Sequence, residues 1–302
     1  MISRIRVLAY VAAGAAVLAV LVVRRRVRTW FEEDFARRRK IGANGIVEGA
    51  ESIELHGSQS HAVLVFHGFN DTPQSVAHLS HALHAHGWSV RAPLLPGHGR
   101  GLREAAAGRA EAWLSFACAQ YEEMLKRYST VVVCGQSMGG ALAVLVAVRN
   151  PSMPVLVLLA PYLGMPGGLQ FKVAAARIVQ AALPYHANEG GEQSIHDPAA
   201  RARALGTGVV TAGMLTQLRR IASKAADELP RVKVPTLYVQ SREDNRIGAG
   251  DATRFFGRLG AANKKQRWLT GCGHILSEDY CRDDVAREVH EWLVVHAGEP
   301  SV

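Results

Sequence analysis

Residues 131–144 constrain this chain more than any other stretch. They read VVVCGQSMGGALAV. A run of β-branched residues, as a parallel strand buried on both faces requires, passes into Gly135-Gln136-Ser137-Met138-Gly139, and a small, apolar helical pattern follows. A serine between two such glycines, at a strand-to-helix junction, sits on a tight turn with its hydroxyl thrown clear of the sheet. Glycines two residues before and after remove side chains that would strike that turn or the next strand. The helix that follows points its N-terminus at the serine, where its dipole favours developing negative charge. Ser137 is therefore the candidate nucleophile, and Met138 N–H, directly after it, is a candidate oxyanion donor.

A serine hydroxyl needs a base. The candidate is His274, in LTGCGHIL (residues 269–276) after the short strand Gln266–Thr270; His290 and His296 fall on a surface-facing final helix. The carboxylate that orients the base should follow the preceding strand. Thr236–Gln240 leads into Ser241-Arg242-Glu243-Asp244-Asn245-Arg246-Ile247, which makes Asp244 the first choice, Glu243 the rival and Asp251 the weaker alternative. The second oxyanion donor should come from the loop after an early strand. Ala62–Phe66 runs into His67-Gly68-Phe69, so Phe69 N–H is the candidate, and His67 reads as a structural hydrogen-bonding residue.

Around these motifs, strand-length apolar runs (Ala62–Phe66, Val131–Cys134, Val155–Leu159, Thr236–Gln240) alternate with helical patterns at Pro73–His86, Glu111–Tyr128, Met138–Arg149 and Asp283–His296. That alternation predicts an α/β fold with a mostly parallel central sheet flanked by helices. The alternation breaks from about 162 to 230. There only helix-like segments are readable, at Leu169–Leu183 and Pro198–Ala226, and an insertion of that length reads as a helical cap. Ordinary packing of the cap accounts for most of its apolar residues Leu163, Met165, Leu169, Phe171, Ile178, Leu183, Met214 and Leu218; the functional reading beside it is an acyl pocket for medium chains.

HGF (67–69), PLLPGHG (93–99), GQSMGG (135–140), an Asp after the penultimate strand and GCGH (271–274) together resemble the α/β-hydrolase superfamily. Within it, HGFNDTP, PLLPGHG and GQSMGG resemble the bacterial carboxylesterase and monoacylglycerol-lipase-like group, also described as serine aminopeptidase or lysophospholipase-like hydrolases. The resemblance covers residues 50–296. Asp244-Asn245-Arg246-Ile247 departs conservatively from the D-x-x-V common there. The resemblance implies hydrolysis of a carboxylic ester through an acyl-enzyme. Ser137 attacks, His274 shuttles the proton, Asp244 orients the imidazole, and no metal or organic cofactor takes part. A thioesterase or acyltransferase would use the same three residues, and a silent scaffold would have no need of them.

The formal charge of +9 is not spread evenly. Residues 1–40 hold ten Lys/Arg and three Asp/Glu, while the remaining 262 residues are nearly neutral. Within that basic segment Val7–Val23 carries no charge, and as a helix it spans about 25 Å, the short end of a bilayer core. Arginines directly after it suit a retained anchor better than a cleaved signal. The expectation is a membrane anchor over 1–28, a basic juxtamembrane linker over 29–48 and a hydrolase domain over 49–298. The heavier arginine flank after Val23 predicts a single-pass protein with a cytoplasmic catalytic domain. The basic cluster has no interleaved aromatic platform, so nucleic acid is not an expected partner. His81 and His84, three apart, read as a solvated helix face. Four cysteines without a C-x-x-C pair support no zinc or redox motif; Cys272 and Cys281 would pair only in an oxidising space.

Overall fold

The computed structural model describes residues 4–164, 183–188 and 191–300. Seven strands form the central sheet: β1 (Ile53–Leu55), β2 (His61–Phe66), β3 (Ser89–Ala92), β4 (Thr130–Gln136), β5 (Leu156–Leu159), and, after a short pair β6 (His186–Ala187) and β7 (Val209–Val210), β8 (Thr236–Ser241) and β9 (Lys264–Leu269). Their spatial order is β1-β3-β2-β4-β5-β8-β9. Only β1 runs antiparallel, to β3; all other pairings are parallel.

The four apolar runs expected as strands are the four central ones. Val131, Val132, Val133 and Cys134 are all within 1% of full burial, the continuous pattern of a strand covered on both faces. Two strands escape a sequence reading. β1 is three residues long and half exposed, and β3 carries Arg91 in its middle, so neither shows an apolar run.

Helices close both faces. They are α1 (Arg4–Arg38), α2 (Ala77–Ala85), α3 (Leu102–Ala107), α4 (Ala110–Leu125), α5 (Met138–Arg149), α6 (Gly191–Ser194), α7 (Pro198–Arg203), α8 (Ala212–Glu228), α9 (Ala249–Arg258) and α10 (Arg282–Ala297). One core lies between the sheet and α4, α5 and α8, centred on Phe66, Trp113, Met138 and Leu142. The other lies between the sheet and α2 and α10, around Leu79, Leu83, Trp88, Val285 and Leu293. α5 is apolar on every side because it is wedged between β4 and two other helices, and ten of its twelve residues are buried.

Several expected boundaries change. Pro73–His86 is one 3₁₀ turn over Pro73–Val76 followed by α2. Thr72 precedes that turn but its hydroxyl makes no capping bond; the Asp71 carboxylate instead accepts from Thr72 N–H at 2.9 Å. In the cap, Pro198–Ala226 is not one helix. α7 ends at Arg203 and α8 begins after Thr211, whose hydroxyl caps Met214 N–H at 3.0 Å. Helical winding stops at Ala204, whose ψ is 130°; beyond it Gly208 adopts φ +73° and β7 pairs antiparallel with β6, so the cap does contain strand. Most of the expected helix Leu169–Leu183 lies outside the described residues.

α1 continues unbroken past Val23 into the basic stretch. Its apolar first half is exposed, with Leu8 at 69% and Leu18 at 62%. By length and composition this helix can cross a membrane. Its last turns pack on the domain: Phe35 is buried among Val47, Ala50, Leu102, Tyr185 and Val209, and Arg103 makes a two-pronged ion pair with Glu32.

Candidate active site

Ser137 stands between β4 and α5 at φ +55°, ψ −117°, in the strained region that non-glycine residues avoid. Backbone bonds impose this turn. Ser137 N–H donates to Leu159 O on the neighbouring strand at 2.9 Å, and the Ser137 carbonyl accepts from Gly140 N–H and from Tyr162 N–H at 2.9 Å each. The flanking glycines are packing requirements. A Cβ on Gly139 would strike the Phe66 and His67 carbonyls, and one on Gly135 would strike the Gly139 carbonyl. α5 starts at Met138, so its positive end faces the serine.

The chain ends of β8 and β9 bring the other two side chains to this turn. His274 Nε2 lies 2.8 Å from Ser137 Oγ, and His274 Nδ1 lies 2.8 Å from Asp244 Oδ2. The His274 and Asp244 side chains are almost wholly buried. Burial pushes the Asp244 carboxyl up, but the charge and hydrogen bond of His274 and the N–H groups of Arg246 and Ile247 outweigh it, and the group ends below the ordinary carboxylate range. Gln240 Nε2 adds a further bond to Asp244 Oδ2 at 2.7 Å.

The rivals are used elsewhere. Glu243 accepts from Gly271 N–H at 2.8 Å, and Asp251 pairs with Arg254 at 2.6 Å. His290 stacks on His86 and His296 on Trp292. His67 is fully buried, with Nδ1 against Gly68 O at 2.9 Å and Nε2 accepting from Leu95 N–H at 3.1 Å. Burial, and then the neighbouring His98, push its pKa well down, so it is neutral and holds the PLLPGHG loop to the HGF loop.

Other supporting residues carry no sequence signal of their own. Gln136 is buried beneath the site and donates to His274 O at 2.9 Å; it was readable only as the x of G-x-S. Ser277 Oγ lies 3.0 Å from Gln136 Oε1 and 2.7 Å from Ser75 O. Asp279 accepts backbone N–H bonds from Gly273, His196, Asp197 and Tyr280 at 2.7–2.9 Å, tying the histidine loop to the cap. Burial raises its pKa, but these four donors win and hold it low. Cys272 and Cys281 are bonded to each other, with Cα atoms 6.0 Å apart, so the same loop is also closed covalently.

Above Ser137 lies a cavity of about 350 Å³ between the sheet and the cap. Gly68, Phe69, Asp71, Tyr162, Leu215, Leu218 and His274 line it. Burial pushes the Asp71 carboxyl up to about 6. Of the apolar cap residues singled out in the sequence, Leu218 reaches this cavity. Leu163 is buried in the core, Met214 lines a small neighbouring pocket with Phe69, and Leu183 faces a crevice beside Trp30. Met165, Leu169, Phe171 and Ile178 lie outside the described residues.

With this geometry in place, comparison with known proteins is specific. A thermostable monoacylglycerol lipase of Bacillus sp. (strain H-257) is 27% identical over 253 residues, 84% of this chain and 98% of that protein. A carboxylesterase of Bacillus subtilis (strain 168) is 23% identical, over 77% of this chain and 92% of its own length. Among solved structures, one reported with the metagenome-derived lipolytic enzymes LipS and LipT superposes with a TM-score of 0.76 at 28% identity, covering 83% of this chain and all of that one. A Paleococcus ferrophilus monoacylglycerol lipase shares the fold, with a TM-score of 0.69 at 22% identity over 81% of this chain and 98% of that one. The family model described as serine aminopeptidase, S33, matches residues 57–280, and on that match, with the sheet and turn that carry it, the chain belongs to this family of α/β hydrolases.

Proposed function

We propose that this protein is a membrane-anchored esterase that cleaves acylglycerol-like carboxylic esters through an acyl-enzyme on Ser137. The observation that carries the reading is the hydrogen-bonded chain Ser137–His274–Asp244 at the floor of a half-apolar cavity. His274 Nε2 takes the Ser137 proton as Oγ attacks the ester carbonyl, and later returns it to the leaving alkoxide. Asp244 holds the Nδ1–H tautomer and stabilises the imidazolium that forms. The backbone N–H groups of Phe69 and Met138 are assigned to the oxyanion, whose charge the start of α5 also favours. Water then attacks the acyl-enzyme by the same route.

The test is acyl-chain profiling with p-nitrophenyl esters. Activity should peak at medium chain lengths and be abolished by a fluorophosphonate. A flat profile sinks the chain-length assignment, and activity untouched by the inhibitor sinks the acyl-enzyme.

Residues 1–28 are assigned as the anchor, 29–48 as the juxtamembrane linker and 49–298 as the hydrolase domain with its cap. The exposed apolar half of α1 supports the anchor. Two features bear on sidedness. The arginine flank after Val23 favours the cytoplasm, and a Cys272–Cys281 bond favours an oxidising space. We take the arginine flank as deciding, because the four N–H bonds to Asp279 close the histidine loop even with both thiols reduced. The protein should remain in the membrane pellet after an alkaline carbonate wash, and release by that wash would refute the anchor.

A further inference from the structure

The catalytic cavity carries more positive charge than an ester of glycerol and a fatty acid requires. Arg38 and Arg39 from the end of α1, Arg201 of α7 and Arg246 beside Asp244 line the same cavity as Ser137 and His274. Among the described lining residues the one carboxylate is Asp71, which burial pushes up to about 6, so near neutral pH it offsets at most one of these charges. Arg38 is matched by Asp34 at 2.8 Å. Arg39 and Arg201 bond to carbonyls instead. Arg39 Nη2 donates to Ala204 O at 2.6 Å and Gly206 O at 3.4 Å, and Arg201 Nη1 donates to Ile195 O at 2.9 Å. Carbonyl oxygens hold a guanidinium in place but do not cancel its charge.

The arrangement also has a cost. Arg39 is half-buried, its Nε is sequestered without a hydrogen-bond partner, and burial followed by the adjacent Arg38 charge pulls its pKa down. An anion in the cavity would relieve both burdens, and a planar guanidinium is the side chain that best fits phosphate oxygens.

We infer that the leaving-group end of this cavity recognises a phosphate monoester, so that the preferred substrate is a monoacyl ester of a glycerol phosphate and not a neutral monoacylglycerol. The assignment rests on the esterase reading above and narrows its substrate class. The phosphate itself is not transferred. Ser137 Oγ bonds to the acyl carbon, the C–O bond to the glycerol phosphate breaks, and the alkoxide leaves with the proton from His274. Water then releases the fatty acid and restores Ser137.

The experiment compares kcat/KM of the full chain for 1-acylglycerol 3-phosphate and 1-monoacylglycerol of the same acyl chain, in zwitterionic micelles at fixed ionic strength. The wild type should prefer the phosphate substrate by at least about tenfold. That ratio should fall by about tenfold in Arg39→Gln and in Arg201→Gln, and partly recover in Arg39→Lys. The exposed Arg258→Gln, outside the cavity, controls for attraction of anionic micelles to the whole protein and should keep the wild-type ratio. Inorganic phosphate should compete with the phosphate substrate. If inorganic phosphate inhibits both substrates equally and no preference is seen, the site takes the free anion and the substrate assignment fails. If monoacylglycerol is hydrolysed as well as its phosphate, the assignment fails and the esterase reading stands. If neither is hydrolysed, and fluorophosphonate does not label the protein, the esterase reading fails and this inference falls with it.

Discussion

Ser137→Ala is expected to abolish fluorophosphonate labelling and to lower kcat for ester hydrolysis by about 10⁴- to 10⁶-fold without loss of the fold. The size follows from the site. His274 Nε2 has one partner to activate, the Ser137 hydroxyl at 2.8 Å, and the candidate oxyanion donors at Phe69 and Met138 can accelerate attack by bound water only weakly once that nucleophile is gone. Folding should survive because the turn is imposed by backbone bonds to Leu159, Gly140 and Tyr162, none of which uses the hydroxyl. Alanine at φ +55° carries the same strain as serine, so thermal stability should change by less than about 1 kcal/mol. Equal labelling of wild type and variant would show that a different residue is the nucleophile.

The second large effect separates two carboxylates that adjoin in sequence. Asp244→Ala should lower kcat by about 10⁴-fold, whereas Glu243→Ala should stay within about fivefold of wild type. Asp244 bonds His274 Nδ1, while Glu243 points to Gly271 N–H and its other oxygen lies 3.7 Å from His196. A larger loss for Glu243→Ala would reverse the assignment.

A pH signature accompanies this pair. The folded pKa of Asp244 lies below its unfolded value, so the folded state binds fewer protons there. Its contribution to stability is therefore complete above the unfolded carboxylate range near about 4 and is lost as pH falls through the depressed folded value. The gap in Tm between wild type and Asp244→Asn should be widest at neutral pH and close under acid conditions.

The nucleophile turn was legible because its requirements are local. A buried strand, a strained serine and a following helix each demand particular residues within fourteen positions, and no distant partner is needed to recognise them. The four central strands were legible for the same reason. Parallel strands covered on both faces must be apolar throughout, and Val131–Cys134 could be little else. The peripheral strands were not, since β1 and β3 are fixed by pairing with each other, and β3 tolerates Arg91 because that side chain reaches Glu54 on β1. The cap was read too simply. α7 stops where Ala204 turns out of helical conformation, and the stretch before α8 is held by the bond from Asn70 Nδ2 to Val209 O, a contact across 139 positions.

By itself, then, the sequence determined the fold class and the strained turn at Ser137, because both are written in short-range pattern. Which carboxylate faces His274 was settled only in three dimensions, since the turn after β8 aims Asp244 inward and Glu243 toward Gly271. So were the roles of Gln136 and Asp279, which hold the histidine loop through backbone atoms that no motif records. The charge of the cavity was hidden for the same reason. Arg39 and Arg201 are 162 positions apart in the chain, and only the docking of α1 against the cap puts both in the wall above Ser137.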